Sequence, residues 1–239
     1  MGLNILFIDS ATEACTAAIW TDGTVLSTFE LAPRAHTQRL LPMAEELLSE
    51  AGIDYNQLDL IAYGRGPGSF TGVRIATACA QGMALGLDIP VLGISSLATL
   101  AQALREQAFQ AGGGIIHAAL DARMGEIYYG RFLVDETKGM TPLHEERVIS
   151  PELILSEFAA NPNTNERELA TGSGFARYPA LLAAKQWHTN TLDAFPDARY
   201  AIELAAATPS SQWQDPADAA PIYLRDNVAQ VKGAAPVTG

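Results

Sequence analysis

The chain has 239 residues, 48% of them hydrophobic, and a formal net charge of -12, enough to bury one large core or two smaller ones. That acidic balance excludes a surface gripping nucleic acid by itself, because neutralising phosphates takes clustered Lys or Arg. Only three lysines occur, Lys138, Lys185 and Lys232, so the first half offers none as a phosphate clamp or Schiff-base nucleophile.

Asn4 to Ile8 and Ala14 to Trp20 are apolar runs that read as strands. Thr21-Asp22-Gly23 supplies the Asp-Gly turn of a hairpin, returning the chain through Val25 to Leu31. Leu40, Leu41, Met43, Ala44, Leu47, Leu48 and Ala51 then recur at helical spacing before Gly52, predicting an amphipathic helix over 38–51. A strand from Leu58 to Tyr63 leads into Gly64-Arg65-Gly66-Pro67-Gly68-Ser69-Phe70-Thr71-Gly72 and a helix over 72–87, followed by a strand at Val91 to Ile94 and a helix to about Gln110. Three meandering strands followed by alternating helices and strands give the topology of ribonuclease H and of each half of actin-like folds.

The second half reads as a repeat of that order. Strands are expected at Ile115–Leu120, Ile127–Val134 and Arg147–Ile149, then a helix from Ser150-Pro151 through Phe158 and a strand at Leu169–Thr171. Helical stretches at Ala176–Ala184 and Arg199–Thr208, an exposed loop at 161–165 and a late strand at Pro221–Leu224 complete the reading. The expected organisation is α/β: an N-terminal actin-like subdomain of residues 1–108 plus about 215–230, a second of 109–214, and a disordered tail, 231–239.

The glycine stretch admits two readings. Glycines permit positive φ and close backbone approach, so exposed amides at the helix start would cradle an anion. No Lys-Ser/Thr follows the last glycine and no GxGxxG spacing exists, so a tight turn packing the helix onto its sheet is the alternative. Asp9 and Asp121 each end the first strand of their half, and in a duplicated fold they would face one another across a cleft, with Ser10 and Thr12 adding hydroxyls to a metal–nucleotide site. Strand-end aspartates are also common turn residues. Ala11, where a phosphate turn favours glycine, and Arg123, after Asp121, make that cleft look vestigial.

The four histidines, His36, His117, His144 and His188, show no metal-ligand spacing, and Cys15 and Cys79 form no CxxC. Ser69 and Thr71 lie in no nucleophile elbow. The chain opens without a basic region and cleavage site, and no apolar run reaches the roughly 18 residues of a bilayer crossing, so a cytoplasmic location is expected. Helix 72–87 is apolar nearly all round, which calls for burial all round. Neighbouring helix 38–51, or another chain, would cover its second face. The expected partner surface comprises His36, Leu40, Met43, Leu47, Val73, Ala76, Thr77 and Ala80.

The stretch Gly64 to Arg74 closely resembles the signature of the bacterial TsaB (YeaZ) family. So do Ile8-Asp9-Ser10-Ala11-Thr12, Ala35-His36-Thr37-Gln38-Arg39-Leu40-Leu41-Pro42, Asp121-Ala122-Arg123-Met124-Gly125-Glu126 and Pro221-Ile222-Tyr223-Leu224-Arg225. The resemblance implies an actin-like ATPase fold and a role in making N6-threonylcarbamoyladenosine in tRNA. It further implies a noncatalytic scaffold: a homodimer when alone, a partner of the transferase TsaD and of TsaE, touching tRNA only indirectly. ATP and metal would be used by the partners, with no cofactor bound by this chain alone. Aligned with the catalytic paralogue's His-x-x-x-His, this chain has Ser96 and Leu100, which cannot replace two imidazoles on a transition metal. The alternatives are an actin-like ATPase or kinase using Asp9 and Asp121, and a metallopeptidase.

Overall fold

A computed structural model describes residues 2–135, 139–161, 166–192 and 194–225. Lys138, Lys232, the expected tail at 231–239 and most of the expected loop at 161–165 lie outside the described residues. The first lobe opens with β1 (Ile5–Asp9), β2 (Ala14–Thr21) and β3 (Thr24–Leu31). Asp22 and Gly23 both take positive φ, 49° and 78°, the two-residue turn whose twist matches a hairpin. There follow α1 (His36–Ala51), β4 (Leu60–Gly66), α2 (Phe70–Leu87), β5 (Val91–Ser95) and α3 (Ser96–Gln110). Gly52, at φ 67°, ends α1 in the left-handed conformation that lets its N–H reach the last carbonyls. Ser69 caps α2, and Ser95 caps α3 by accepting from the Leu97 and Ala98 amides.

The second lobe contains β6 (Gly114–Arg123), β7 (Glu126–Asp135), β8 (Gly139–Pro142), β9 (Arg147–Ile149) and α4 (Pro151–Ala160). It continues through β10 (Glu168–Thr171), α5 (Ser173–Arg177), α6 (Pro179–Ala183), β11 (Thr189–Thr191) and α7 (Ala198–Ala207). The first sheet runs β3-β2-β1-β4-β5, and the second runs β8-β7-β6-β10-β11 with β9 also on β7. In the first, β1 pairs antiparallel with β2 and parallel with β4; in the second, β6 pairs antiparallel with β7 and parallel with β10. The two lobes therefore repeat one ribonuclease H-like plan, the duplicated architecture of an actin-like fold. The short strands β8 and β11 were not foreseen. The expected strand at Pro221–Leu224 is instead irregular chain, held by a bond from the Ile222 amide to the Arg65 carbonyl.

Strand alternation divides the first lobe's core into two layers. Leu6, Ile8, Ala17 and Ile19 face α1 and α2; Ile5, Phe7 and Ala18 face the other way, onto Ala198, Ala201, Ile202 and Ala205 of α7. This corrects the expected boundaries, which placed α7 within the second unit. The converse holds for α3, expected in residues 1–108: its Leu97, Leu100, Ala101 and Leu104 pack on Ile116, Ala118 and Leu120 of the second sheet. Each lobe thus borrows a covering helix from the other's stretch of sequence, and α3 meets α7 through a bond from Gln102 Nε2 to Glu203 Oε2 at 2.8 Å. No helix among the described residues is long and apolar enough to cross a membrane.

Candidate functional site

The glycine stretch grips the β1–β2 turn by direct backbone contact. A Cβ on Gly64 would lie 2.2 Å from Asp9 Cγ, one on Gly68 2.2 Å from the Ala11 carbonyl, and one on Gly72 1.9 Å from the Ser10 carbonyl. The Ser69 amide bonds the Ala11 carbonyl at 2.6 Å and the Val73 amide bonds the Ser69 carbonyl at 2.9 Å. Ser10 Oγ donates to the Gly72 carbonyl at 2.8 Å. Between the two readings of these glycines, the geometry selects close packing over a phosphate cradle.

Asp9 lies under this loop, only 3% exposed. Burial raises its carboxyl to about 6, against the pull of the Ala11 and Ser10 amides, the first of which donates to Oδ1 at 2.7 Å. Its raised folded-state value sets the sign. Above about 6 the buried charge burdens the fold, and the burden lifts as pH falls from about 6 towards 3.8, where the folded state holds a proton the unfolded state lacks. Asp9→Asn keeps the acceptor and is expected to stabilise the protein by about 2 kcal/mol at pH 8 while flattening this window. Urea melts at pH 5 and 8 measure it, and equal losses at both values would contradict it.

Between the lobes lies a cleft of about 850 Å³. Thr12 and Asp121 line it, whereas Asp9 and Ser10 do not. This corrects the expected four-residue nucleotide set: the glycine loop seals two of them beneath itself. The cleft's carboxylates, Asp121 and Glu13, are both engaged by Arg123. Its guanidinium meets Asp121 Oδ2 and Glu13 Oε1, each at 3.0 Å, and its amide donates to Asp121 Oδ1 at 2.9 Å. Arg34 and Arg177 also line the cleft, and neither makes an ion pair among the described residues.

The expected partner surface is also redrawn. Leu40, Met43, Leu47, Val73, Ala76, Thr77 and Ala80 are all at most 5% exposed, turned onto their own sheet, so a charge placed there would disrupt the monomer. His36 is half-buried on the cleft. The outward face of α2 carries Arg74, Ala78, Gly82, Leu85 and Gly86, and that of α1 carries Leu41 and Glu45. Leu85 is 57% exposed and Leu41 38%. Ser96 is fully buried and Leu100 sits in the second lobe's core. Near the cleft rim, the Arg74 guanidinium lies 3.7 Å from the Phe70 ring centre and donates to the Tyr223 hydroxyl at 2.7 Å. All three residues fall in the motifs quoted above.

The sequence model of the family described as "TsaD: tRNA N6-adenosine threonylcarbamoyltransferase" matches residues 28–232. A relative from Escherichia coli (strain K12), named tRNA threonylcarbamoyladenosine biosynthesis protein TsaB, is 39% identical over 96% of this chain and 98% of its own. Its namesake from Haemophilus influenzae is 38% identical over 96% and 97%. The solved structure of YeaZ from Pseudomonas aeruginosa superposes with a TM-score of 0.81 at 36% identity, covering 93% of this chain and 100% of that one. With fold, motifs and near full-length identity in agreement, the chain belongs to the TsaB (YeaZ) family, within the wider TsaD family.

Proposed function

We propose that this chain serves tRNA threonylcarbamoyladenosine biosynthesis as a noncatalytic scaffold for the TsaD threonylcarbamoyltransferase, with TsaE as a further partner. One observation carries the reading. Both carboxylates lining the inter-lobe cleft are paired with Arg123 and the β1 aspartate is sealed away, which leaves no unpaired acid on the cleft among the described residues to hold a metal–nucleotide. Docking falls to the outward face of α2 and the adjoining side of α1, where small side chains and Leu85 admit an apolar partner helix. A second copy occupies the same face when the transferase is absent. The net charge of -12 leaves tRNA to the other components.

Reconstituting the modification from purified components tests the role: activity should vanish when this chain is omitted, and this chain alone should do nothing. Ala78→Arg tests the surface. Its position is exposed, so the monomer should fold, while an unpaired charge buried against TsaD is expected to weaken binding about a hundredfold. Undiminished capture of TsaD by the folded variant would remove this face from the interface.

Arg34 and Arg177, without an ion pair among the described residues, favour a second reading, an anionic nucleotide in the cleft, as in an actin-like ATPase or kinase. Calorimetry with ATP separates the readings: binding lost in Arg177→Ala supports the second, and no heat with the parent protein supports the first.

A further inference from the structure

We propose that residues 214–225 form a strap that fixes the opening between the two lobes, with Arg225 as its clasp on the second. The segment leaves α7 and runs back along the first lobe. Gln214 exchanges two backbone hydrogen bonds with Val91, at 2.9 and 2.8 Å, and the Ile222 amide donates to the Arg65 carbonyl at 2.8 Å. Between them, the Tyr63 hydroxyl accepts from the Ala220 amide at 3.0 Å and donates to its carbonyl at 3.2 Å. Gln81 of α2 donates to the Pro216 carbonyl at 2.9 Å, and the Tyr223 ring packs on Phe70 with centres 5.5 Å apart.

On the second lobe the hold narrows to one side chain. Among the described residues, the strap's hydrogen bonds to that lobe come from the Arg225 guanidinium. It reaches the Ala122 and Arg123 carbonyls at 3.2 and 3.4 Å, Met124 Sδ at 3.2 Å and the Glu126 carboxylate. Its side chain is 17% exposed. All these acceptors sit at the tip of the β6–β7 hairpin, where Arg123 and Met124 hold positive φ of 62° and 55°.

Position gives the clasp its leverage. Residues Ile222 to Arg225 form part of the cleft wall, whereas the packed pair α3 and α7 joins the lobes elsewhere. The other ion pair across the cleft, Arg123 with Glu13, has side chains 72% and 50% exposed, so water and salt weaken it. The Ser95–Glu146 hydrogen bond also spans the lobes, at the start of α3 and off the cleft lining. Releasing Arg225 therefore lets the second lobe swing about α3 and α7 while the strap stays seated on the first.

Spin labels at Glu50→Cys on α1 and Leu153→Cys on α4, in a Cys79→Ser background, report the inter-lobe distance by pulsed electron resonance; Cys15 is fully buried and does not label. Arg225→Ala is expected to broaden the distance distribution towards longer values. Amides of the β6–β7 turn should exchange about tenfold faster, as loss of charge-assisted hydrogen bonds implies. Arg225→Lys, which keeps charge but loses the fork, should fall between. A distribution superimposable on the parent's, with unchanged exchange at the turn, overturns the proposal. Should Arg225→Ala fail to fold, Glu126→Gln decides alone: broadening supports the clasp, and an unchanged distribution removes it.

Discussion

Replacing Lys185 with methionine is expected to lower the free energy of unfolding by about 3–5 kcal/mol, the scale of breaking a buried ion pair from one side. The Lys185 ammonium, its side chain 7% exposed, pairs with the carboxylate of Glu168, 5% exposed. His117 Nε2 lies 3.3 Å from the other carboxylate oxygen and Nδ1 meets the Tyr129 hydroxyl. Rings of Phe158 and Trp187 stand edge-on to the imidazole, with centres 5.7 and 5.0 Å away. In so apolar a setting each charge depends on its partner, and removing one strands the other. Glu168→Gln combined with Lys185→Met removes both charges and should recover most of the loss, which urea melts of the single and the double variant will show.

The same cluster sets a pH dependence. Burial would raise Glu168, yet hydrogen bonds and charge from His117 and Lys185 outweigh it and hold the group at about 2, below its ordinary 4.5. Its contribution is present above 4.5 and lost as pH falls towards 2. Burial lowers His117 from 6.5 to about 4 despite Glu168 beside it, so the folded state favours the neutral ring. Stability from this group is lost as pH falls from 6.5 to about 4, where only the unfolded chain takes up the proton. Asp9 contributes the opposite sign between about 6 and 3.8. Acid unfolding of the parent should therefore begin late and steepen below about 4.

This cluster shows where a single sequence stops being readable. Its members come from β6, β7, α4, β10 and the chain after α6, with no local spacing to join them. Lys185 stood out only as one of three lysines, and His117 only as lacking a metal partner. Elements written in local periodicity were plain: the Asp22-Gly23 hairpin, the 3.6-residue stripe of α1 and the Ser150-Pro151 start of α4. The repeated strand order followed from them. The exchange of α3 and α7 between lobes did not, because an apolar helix face does not name the sheet it will cover. The partner surface failed for a related reason. Apolar residues at helical spacing mark the core-facing side, so the expected contacts on α1 and α2 were the monomer's own interior. The outward positions, Ala78, Gly82 and Gly86, belong to the same all-round small and apolar pattern of helix 72–87 and part from the inward ones only when exposure is known. Of the four residues expected at the cleft, Asp121 and Thr12 line it. Asp9, in the matching position, is covered by the glycine loop, whose tight-turn reading the sequence offered without naming the residue beneath it.

Two glycine-to-alanine changes in one helix should move stability in opposite directions, and the contrast tests whether the glycine loop exists for contact. At Gly72 the new methyl would stand 1.9 Å from the Ser10 carbonyl oxygen and 3.3 Å from Ala11 Cα, both backbone atoms that no rotamer change can clear. Ser10 cannot retreat easily, since its own hydroxyl is bonded to the Gly72 carbonyl and the Ala11 carbonyl to the Ser69 amide. Separating α2 from β1 by the missing ångström opens the core shared by Ile8, Ala76 and Ala80, and a loss of about 3 kcal/mol or more is expected. Gly82, ten residues along, has open space where its Cβ would go, so alanine there should add up to about 1 kcal/mol through helix propensity. Partner binding sorts the two as well. Gly72→Ala should weaken capture of TsaD by shifting α2, whereas Gly82→Ala should alter capture with the fold intact, because its methyl enters the outward face itself. Thermal unfolding gives the first comparison and a pull-down the second. If Gly72→Ala melted like the parent, the loop would not be bearing on Ser10, and the phosphate-cradle reading of these glycines would return.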